Sequence, residues 1–154
     1  MTADIVRWTG RALPDGVEAL CRDAAAEGYA WAADFPADWR RRPFLEEGEA
    51  LYLARDGGAS NDGSLAAMAV LSADPFVDDP ETGRLRYIYV RGSARRQGLA
   101  ERFVRLCLER ARGRWQRLRL HTDSPRAAAL YERHGFRPSD ADPRATHVLA
   151  LAGG

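Results

Sequence analysis

A short basic loop between an apolar stretch and a helical pattern constrains the fold of this chain more than any other feature. Residues 85–90 are rich in β-branched and aromatic side chains, which predicts a strand. Residues 99–110 have the apolar spacing of a helix that stops before Gly113. From Val90 to Ala100 the chain reads Val-Arg-Gly-Ser-Ala-Arg-Arg-Gln-Gly-Leu-Ala. Because a helix start presents unpaired N–H groups and the positive end of the helix dipole, this order predicts an anion site.

The glycine and the arginines of this loop suit a bulky anion. Gly98 has no Cβ, so a ligand can approach its backbone closely. Arg95 and Arg96 add full positive charge beside it. The alternative is an ordinary strand-to-helix turn with solvated arginines, since short glycine motifs also occur by chance.

A second helix downstream has clear start and stop signals. Residues 115–122 alternate as a strand, and residues 124–136 read Ser-Pro-Arg-Ala-Ala-Ala-Leu-Tyr-Glu-Arg-His-Gly-Phe. Ser124 suits the N-cap, Pro125 the first helical position and Gly135 the stop. The segment is therefore predicted to be a short, well-capped helix.

The two segments together resemble a known family. The loop carries Arg95, Gly98 and Ala100 in the pattern Arg/Gln-x-x-Gly-x-Gly/Ala, which resembles motif A of the GNAT superfamily of acyl-CoA-dependent N-acyltransferases. The downstream helix resembles the family's motif B, Asn-x-x-Ala-x-x-Leu-Tyr-Glu-x-x-Gly-Phe. The matching residues are Ala127, Leu130, Tyr131, Glu132, Gly135 and Phe136. Ser124 stands where the family usually has Asn, so the contact that this residue makes with the cofactor is expected to be weaker or bridged by water.

The resemblance implies that acetyl-CoA is the co-substrate. In the family, the loop and helix start bind the pyrophosphate through backbone N–H groups, and the preceding strand pairs with the pantetheine arm. A backbone amide near the end of that strand polarises the thioester carbonyl, and by position it belongs to Val90 or a neighbour. The residues that the resemblance assigns to the cofactor are Ile88, Tyr89, Val90, Arg95, Arg96, Gln97, Gly98, Leu99, Ala100, Ser124, Ala127 and Tyr131.

The chemistry of acyl transfer asks for a general acid and a route for the amine proton. Tyr131 matches the family's tyrosine whose hydroxyl lies near the sulfur, and the resemblance implies that it acts as the general acid. The alternative is a helix tyrosine that packs against the sheet.

The general base stays open at this stage, because the strand at residues 85–90 has no carboxylate where relatives often have one. His121 is a candidate, since imidazole titrates near neutral pH. A histidine at a strand end is also often a surface or packing residue. Other candidates are Glu46, Glu47, Glu49, Asp78 and Asp79. A water chain, or an acceptor amine that is already partly neutral, is a further alternative.

The chain of 154 residues suits a single domain over residues 1–154. The resemblance implies an α/β (α+β) GNAT fold: a central mixed, mostly antiparallel sheet of six to seven strands, splayed between strands 4 and 5 and flanked by about four helices. The element order β-α-ββ-β-α-β-α-β is compatible with this fold, with one further helix between residues 31 and 46. A hairpin loop is expected over residues 57–64, and a polar loop over residues 139–145.

The charge is divided between the two halves of the chain. Residues 1–83 hold 7 arginines and 16 acidic residues, whereas residues 84–154 hold 16 arginines and 6 acidic residues. The basic half contains the anion loop, and the acidic half suggests a cationic or amine-bearing acceptor. Residues 29–39, where aromatic and acidic side chains alternate, are the expected acceptor region. The same composition also describes an amphipathic helix that covers the sheet.

Composition limits the remaining possibilities. The net charge of +1 predicts neither a nucleic-acid nor a membrane partner. Arginine without any lysine suggests a GC-rich bacterial genome, and the lack of a signal-peptide pattern predicts a cytoplasmic protein. Cys21 and Cys107 are expected to be buried, and no cluster of residues predicts a metal site. A homodimer is left open.

Three functional hypotheses follow. The first is an N-acetyltransferase that acts on a primary amine by direct attack in a ternary complex. The second is a catalytically silent GNAT domain that binds acyl-CoA as a sensor or interaction module. The third, a nucleic-acid-binding domain that uses the arginine-rich helix, is disfavoured by the acidic N-terminal half.

Overall fold

A computed structural model describes residues 4–55 and 64–151 of the chain. The first half contains β1 (Ile5–Trp8), α1 (Val17–Ala26), a short 3-10 helix (Ala30–Ala33), α2 (Phe35–Arg41), β2 (Ala50–Arg55), β3 (Leu65–Ala73) and β4 (Thr82–Val90). The second half contains a 3-10 turn (Gly92–Ala94), α3 (Leu99–Arg112), β5 (Arg117–Leu120), α4 (Pro125–Arg133), β6 (Arg137–Asp142) and β7 (Ala145–Ala150).

These strands form one mixed sheet of seven strands in the order β1-β2-β3-β4-β5-β7-β6. Neighbouring strands are antiparallel except for β4 and β5, which are parallel. The mixed, mostly antiparallel sheet with its flanking helices confirms the predicted fold class.

The parallel pair is short, and this opens the sheet. Its register joins Thr82 to Arg117, Gly83 to Leu118 and Arg84 to Arg119. β4 continues to Val90, while β5 ends at Leu120, so residues 85–90 have no partner on β5. The predicted splay between strands 4 and 5 is confirmed, and it leaves a cleft with free backbone groups along one edge of β4.

A β-bulge changes the side-chain alternation of β4 inside this unpaired stretch. The register with β3 shifts between Met68 and Val70, and Tyr87 has a left-handed φ of 55°. Bulges redirect side chains where they occur. Here Tyr87 and Tyr89 both pack in the apolar cluster beneath α1 and α2, whereas Ile88 packs against the cluster on the other face.

The sheet separates two apolar clusters. One cluster lies beneath α1 and α2, and α1 contributes Val17, Leu20, Cys21 and Ala24 to it at the spacing of one helix face. The other lies beneath α3 and α4, and α3 contributes Leu99, Phe103, Val104, Cys107, Leu108 and Ala111. Both cysteines are buried, as predicted.

Two local predictions have different outcomes. The helix expected between residues 31 and 46 is present as the first 3-10 helix and α2. The polar loop expected at residues 139–145 is wrong, because residues 137–142 form β6. β6 is an edge strand that pairs with β7, so it needs no apolar alternation, and an edge also tolerates Pro138. The loop expected over residues 57–64 lies almost entirely outside the described residues.

No helix within residues 4–55 and 64–151 is both long and apolar enough to cross a bilayer. In the same part of the chain, no three His, Cys, Asp or Glu side chains come together in a way that could hold a metal ion.

Candidate functional site

The start of α3 is open to an anion. Its N-cap residue is Gly98, which has a φ of 73° and, lacking a side chain, caps no N–H group. The first N–H groups of α3 therefore remain for a ligand. A Cβ at Gly98 would meet no heavy atom within 4 Å, so the left-handed backbone, not crowding, favours glycine here. Arg96 is also left-handed, with a φ of 68°, and its side chain is exposed.

The Arg95 side chain leaves this loop and contacts two other elements. Its Nε donates a hydrogen bond to the carbonyl oxygen of Val90 at 3.1 Å, and its Nη2 donates to Glu27, the C-cap residue of α1. The hydrogen bond from Arg95 lowers the pKa of Glu27, and the same bond raises the pKa of Arg95. The pair is therefore ionised at neutral pH.

The Tyr89 hydroxyl joins this ion pair to Asp23, a second carboxylate of α1. It lies 2.5 Å from Asp23 Oδ2 and 2.9 Å from Glu27 Oε2. A phenol has one hydrogen, so it donates to one carboxylate at a time. Burial, and then the hydrogen bonds to the two carboxylates, raise the pKa of Tyr89, so that it stays protonated.

Aromatic rings and carboxylates share the surface beside this network. The ring of Tyr29 lies 5.3 Å from that of Tyr89, and Trp31 lies 5.2 Å from Tyr87. The Tyr87 hydroxyl donates to Asp38 Oδ2 at 3.1 Å, and burial raises the pKa of Tyr87 to about 12. The expected acceptor region at residues 29–39 thus contacts the bulged end of β4.

Tyr131 lies on the opposite face of the sheet. Its side chain is buried in the cluster beneath α3 and α4, with its ring edge-to-face against Phe136 at 5.9 Å. Burial raises the pKa of Tyr131, with smaller contributions from Tyr29 and Cys107. The hydroxyl therefore stays protonated well above neutral pH and can donate a hydrogen to a negatively charged group.

The sequence itself identifies the family of this fold. The model of the acetyltransferase (GNAT) family matches residues 17–136. The chain belongs to the GNAT acetyltransferase family. This family uses acetyl-CoA as its co-substrate, which confirms both the resemblance and the cofactor that the two motifs implied. A search of curated proteins found no match.

Solved structures agree with the GNAT fold. A candidate acetyltransferase from Exiguobacterium sp. 255-15 is similar with a TM-score of 0.82 and 23% identity, covering 97% of this chain and 94% of that one. A GNAT family protein from Staphylococcus aureus Mu50 is similar with a TM-score of 0.74 and 14% identity, covering 97% and 99%. A GNAT family N-acetyltransferase from Escherichia coli, solved with CoA, has a TM-score of 0.70 and 22% identity, covering 98% and 82%.

The acetyltransferase fold brings some predicted cofactor residues together. Ile88, Val90 and Ala127 are half-buried and pack against the same cluster as Tyr131. Loop residues Arg96, Gln97 and Gly98 are exposed, and Leu99 and Ala100 begin α3. Tyr89 differs, since its side chain lies on the other face and only its backbone borders the cleft.

Ser124 is the N-cap of α4, as the sequence predicted. Its hydroxyl accepts a hydrogen bond from the backbone N–H of Ala127 at 3.2 Å. Gly135, with a φ of 99°, follows the helix end. The serine that replaces the usual asparagine therefore keeps the capping role of a short polar side chain.

The candidate bases are found in different settings. His121 follows β5, is 40% exposed at its side chain, and has Nε2 at 3.2 Å from Asp123 Oδ1. Glu49 is buried and accepts two hydrogen bonds of 2.9 Å from Arg42. Asp79 accepts a hydrogen bond from the Thr82 hydroxyl at 2.8 Å, within a turn. The side chains of Glu49 and Asp79 thus hold local structure.

Other base candidates are on the surface. Glu46 is 72% exposed and lies 3.5 Å from Arg42, and Glu47 and Asp78 are exposed. None of the three contacts the bulged part of β4 among the hydrogen bonds and ion pairs of the described residues.

Sequence reasoning missed Asp23 and Glu27. They lie four positions apart on α1 and so share one helix side. Two carboxylates at that spacing repel each other. A group from another element that binds both of them offsets this repulsion. That spacing was the available signal, but the partner, Tyr89, is 62 residues from Glu27 in the sequence.

Proposed function

We propose that this protein is an N-acetyltransferase that moves an acetyl group from acetyl-CoA to a primary amine of a small molecule or peptide. The amine attacks directly, in a ternary complex. The observation that carries this proposal is the cleft along the unpaired edge of β4, which ends at the uncapped and basic start of α3. A cleft of this kind suits a long cofactor that ends in an anionic group.

The residues that the motifs assign to the cofactor are proposed to line its site or to hold its binding loop in place. They are Ile88, Tyr89, Val90, Arg95, Arg96, Gln97, Gly98, Leu99, Ala100, Ser124, Ala127 and Tyr131. Bound acetyl-CoA would supply the activated thioester. The free N–H groups of residues 85–90 would orient the pantetheine arm, and one near Val90 would donate to the carbonyl oxygen as it gains negative charge.

Tyr131 is proposed as the general acid. As the amine nitrogen bonds to the carbonyl carbon and the carbon–sulfur bond breaks, the Tyr131 hydroxyl donates its hydrogen to the departing sulfur. Burial supports this role, because a raised pKa keeps the phenol protonated. The amine attacks in its neutral form and its surplus protons leave by a second route, and Tyr131 is reprotonated before the next turnover.

For that second route we propose His121, directly or through water. It lies just beyond the end of β5, at the open end of the cleft, and its imidazole is accessible. Neutral imidazole can accept the proton and release it to solvent.

The acceptor is proposed to be a cationic amine with an apolar body. Support comes from the surface where Tyr29 and Trp31 lie beside Asp23 and Asp38. Aromatic faces and carboxylates both attract an ammonium group.

One observation favours a second function. β4 offers Arg86, Tyr87 and Tyr89 beside the cleft and no carboxylate. A GNAT domain without an effective base would bind acyl-CoA without turnover, as a sensor or interaction module.

The wider setting is also proposed. Residues 1–154 are taken as one acetyltransferase domain of a cytoplasmic, bacterial protein, which could form a homodimer through a sheet edge. The arginine-only basic composition supports a bacterial origin, and β1 and β6 are the two edge strands.

Calorimetry with acetyl-CoA tests the cofactor site first. We expect micromolar binding by the wild type and none by Gly98→Trp, whose indole would occupy the approach to α3. Gly113→Trp, at the other end of the same helix, is the matched control and should bind normally. If the folded wild type does not bind acetyl-CoA, the proposed function is overturned.

A panel of primary amines then separates the two functions. Release of free thiol, dependent on both acetyl-CoA and an amine, supports the N-acetyltransferase. Tight acetyl-CoA binding without thiol release from any amine in the panel supports the silent domain.

A further inference from the structure

We propose that Arg95 and Glu27 form a positioning pair that holds the cofactor loop in its binding conformation, and that Arg95 does not itself contact the cofactor's phosphate groups. This inference rests on the use of acetyl-CoA and deepens the proposed function. It assigns a role to Glu27, which the two motifs do not include.

The two contacts of Arg95 point away from the start of α3. Nε donates to the carbonyl oxygen of Val90, the last residue of β4, at 3.1 Å. Nη2 donates to Glu27 at the end of α1. A Cβ at Gly92 would lie 3.8 Å from Arg95 Nη1 and 4.0 Å from Glu27 Oε2, so the ion pair crosses over the 3-10 turn.

Tyr89 completes a closed ring of contacts. Its hydroxyl is 2.9 Å from Glu27 Oε2, and the Arg95 guanidinium lies 5.9 Å from the centre of its ring. Tyr89 and Val90 are consecutive in β4. The ring thus runs from Val90 to Arg95, on to Glu27, and back through Tyr89 to Val90. It fixes the middle of the loop, at Arg95, relative to the end of β4 and to α1, because the rigid guanidinium fork sets both of its contacts at once.

The neighbouring arginine is better placed to supply charge to an anion. Arg96 is exposed in the left-handed turn just before Gly98, and it forms no ion pair with any residue in 4–55 or 64–151. The Arg95 guanidinium is already engaged with Val90 and Glu27. The structure therefore gives the two arginines different tasks: Arg95 holds the loop and Arg96 meets the anion.

Glu27→Gln decides between the two roles of Arg95, because they predict opposite results. If the pair positions the loop, removing the carboxylate charge should weaken acetyl-CoA binding roughly tenfold, or about 1.4 kcal/mol. If Arg95 binds phosphate, the same change removes a competing anion and should tighten binding. Calorimetry of the folded variant gives the answer, and a tighter or unchanged dissociation constant would overturn the inference.

A double-mutant cycle and salt dependence provide a second test. Arg95→Ala should weaken binding at least as much as Glu27→Gln, because it also removes the contact with Val90, and the double variant should be no weaker than Arg95→Ala, since the ion pair is lost in both. The loss of binding with added salt should be as steep for Arg95→Ala as for the wild type, but shallower for Arg96→Ala, which removes a charge at the anion. A shallower salt dependence for Arg95→Ala would mean direct contact.

Matched controls are available between α1 and α2. Arg40 and Glu18 form an exposed ion pair away from the start of α3, and Arg40→Ala and Glu18→Gln should leave acetyl-CoA binding unchanged. If Arg95→Ala does not fold, Glu27→Gln still decides the question by the direction of its effect. A wild type that binds no acetyl-CoA would overturn the proposed function, whereas tighter binding by Glu27→Gln would overturn only this inference.

Discussion

Arg84 of β4 and Arg119 of β5 converge on one oxygen of Asp74. Arg84 Nη1 lies 3.4 Å and Arg119 Nε 2.7 Å from Asp74 Oδ2. The three side chains are nearly buried, and the two arginines are partners in the last register position before the cleft opens. One carboxylate thus holds together two like charges at the point where β4 and β5 separate.

We expect Asp74→Ala to destabilise the protein strongly. It would leave two buried guanidinium groups without their shared counter-charge, which lowers the free energy of unfolding by about 3–5 kcal/mol. Urea denaturation measures this change. Glu101→Ala, which removes an exposed partner of Arg105, is the control and should cost less than about 1 kcal/mol. Equal effects of the two substitutions would contradict the structural role of Asp74.

Tyr131→Phe tests the general acid. Removing the hydroxyl should lower kcat by roughly 100-fold or more, while acetyl-CoA affinity changes little. Tyr52→Phe is the matched control, because Tyr52 is a buried tyrosine in the same apolar cluster. If both variants keep the wild-type kcat, Tyr131 is a packing residue.

Asp142 makes stability depend on pH. Its carboxylate accepts a hydrogen bond from the Arg144 backbone N–H at 2.9 Å and another from Arg119 at 3.0 Å. These bonds, the backbone one first, lower the pKa of Asp142 from 3.8 to about 2. Because the pKa is lower in the folded state, the ionised carboxylate stabilises the fold at pH values above its ordinary pKa. This contribution is lost as the pH falls through the pKa of the folded state.

Asp142→Asn should therefore be less stable than the wild type at pH 7, and the difference should shrink between pH 4 and pH 2. Denaturant unfolding at a series of pH values measures it. Asp140→Asn, at an exposed neighbouring position, is the control. A difference from the wild type that stays constant across this range would show that the charge of Asp142 is not responsible.

Gly83 is required by a close approach between β4 and Trp115. A Cβ at this position would lie 2.6 Å from Trp115 Cδ2 and 2.9 Å from Leu118 Cδ2. Gly83→Ala should therefore lower the free energy of unfolding by about 1–3 kcal/mol. At Gly113 the nearest atom would be 3.6 Å away, so thermal melting of Gly113→Ala provides the comparison. An equal decrease in melting temperature for Gly83→Ala and Gly113→Ala would contradict a steric cause.

Neither cysteine should take part in the reaction. Cys21 and Cys107 are buried, and burial raises the pKa of Cys21 to about 11 and raises that of Cys107 as well. A thiol reagent at pH 7.5 should therefore label neither residue in the folded protein and both in denaturant. Acetyl transfer should persist in Cys21→Ala, since the proposed amine attack is direct. Detection of an acetylated cysteine during turnover would contradict direct attack by the amine.

Local signals explain why the two motif helices were predictable. Ser124 caps α4 as expected and Gly135 has the left-handed φ of a helix stop, because these choices depend on neighbouring residues alone. The splay of β4 and β5 followed from the family resemblance. β6 could not be predicted, because it owes its conformation to hydrogen bonds with β7 and its own residues are polar.

Contacts between elements that are distant in the sequence could not be predicted either. The helical pattern of α1 identifies its buried side, but it does not say which strand meets Asp23 and Glu27 at the rim. The number of acidic residues in a segment also does not show which of them are exposed. Glu49 and Asp74 belong to the acidic half, yet both are buried and paired with arginines. They contribute little to the field that an incoming amine would meet.

The sheet separates the two apolar clusters, one beneath α1 and α2 and one beneath α3 and α4. Because side chains alternate between the two faces of a strand, substitutions in one cluster disturb the other cluster little. Under the proposed function, amine recognition lies on one face and the acid on the other. Evolution can then exchange residues of the first 3-10 helix and α2 to suit a new amine, while Glu27 and an inherited cofactor half continue to serve the delivery of the same acetyl group.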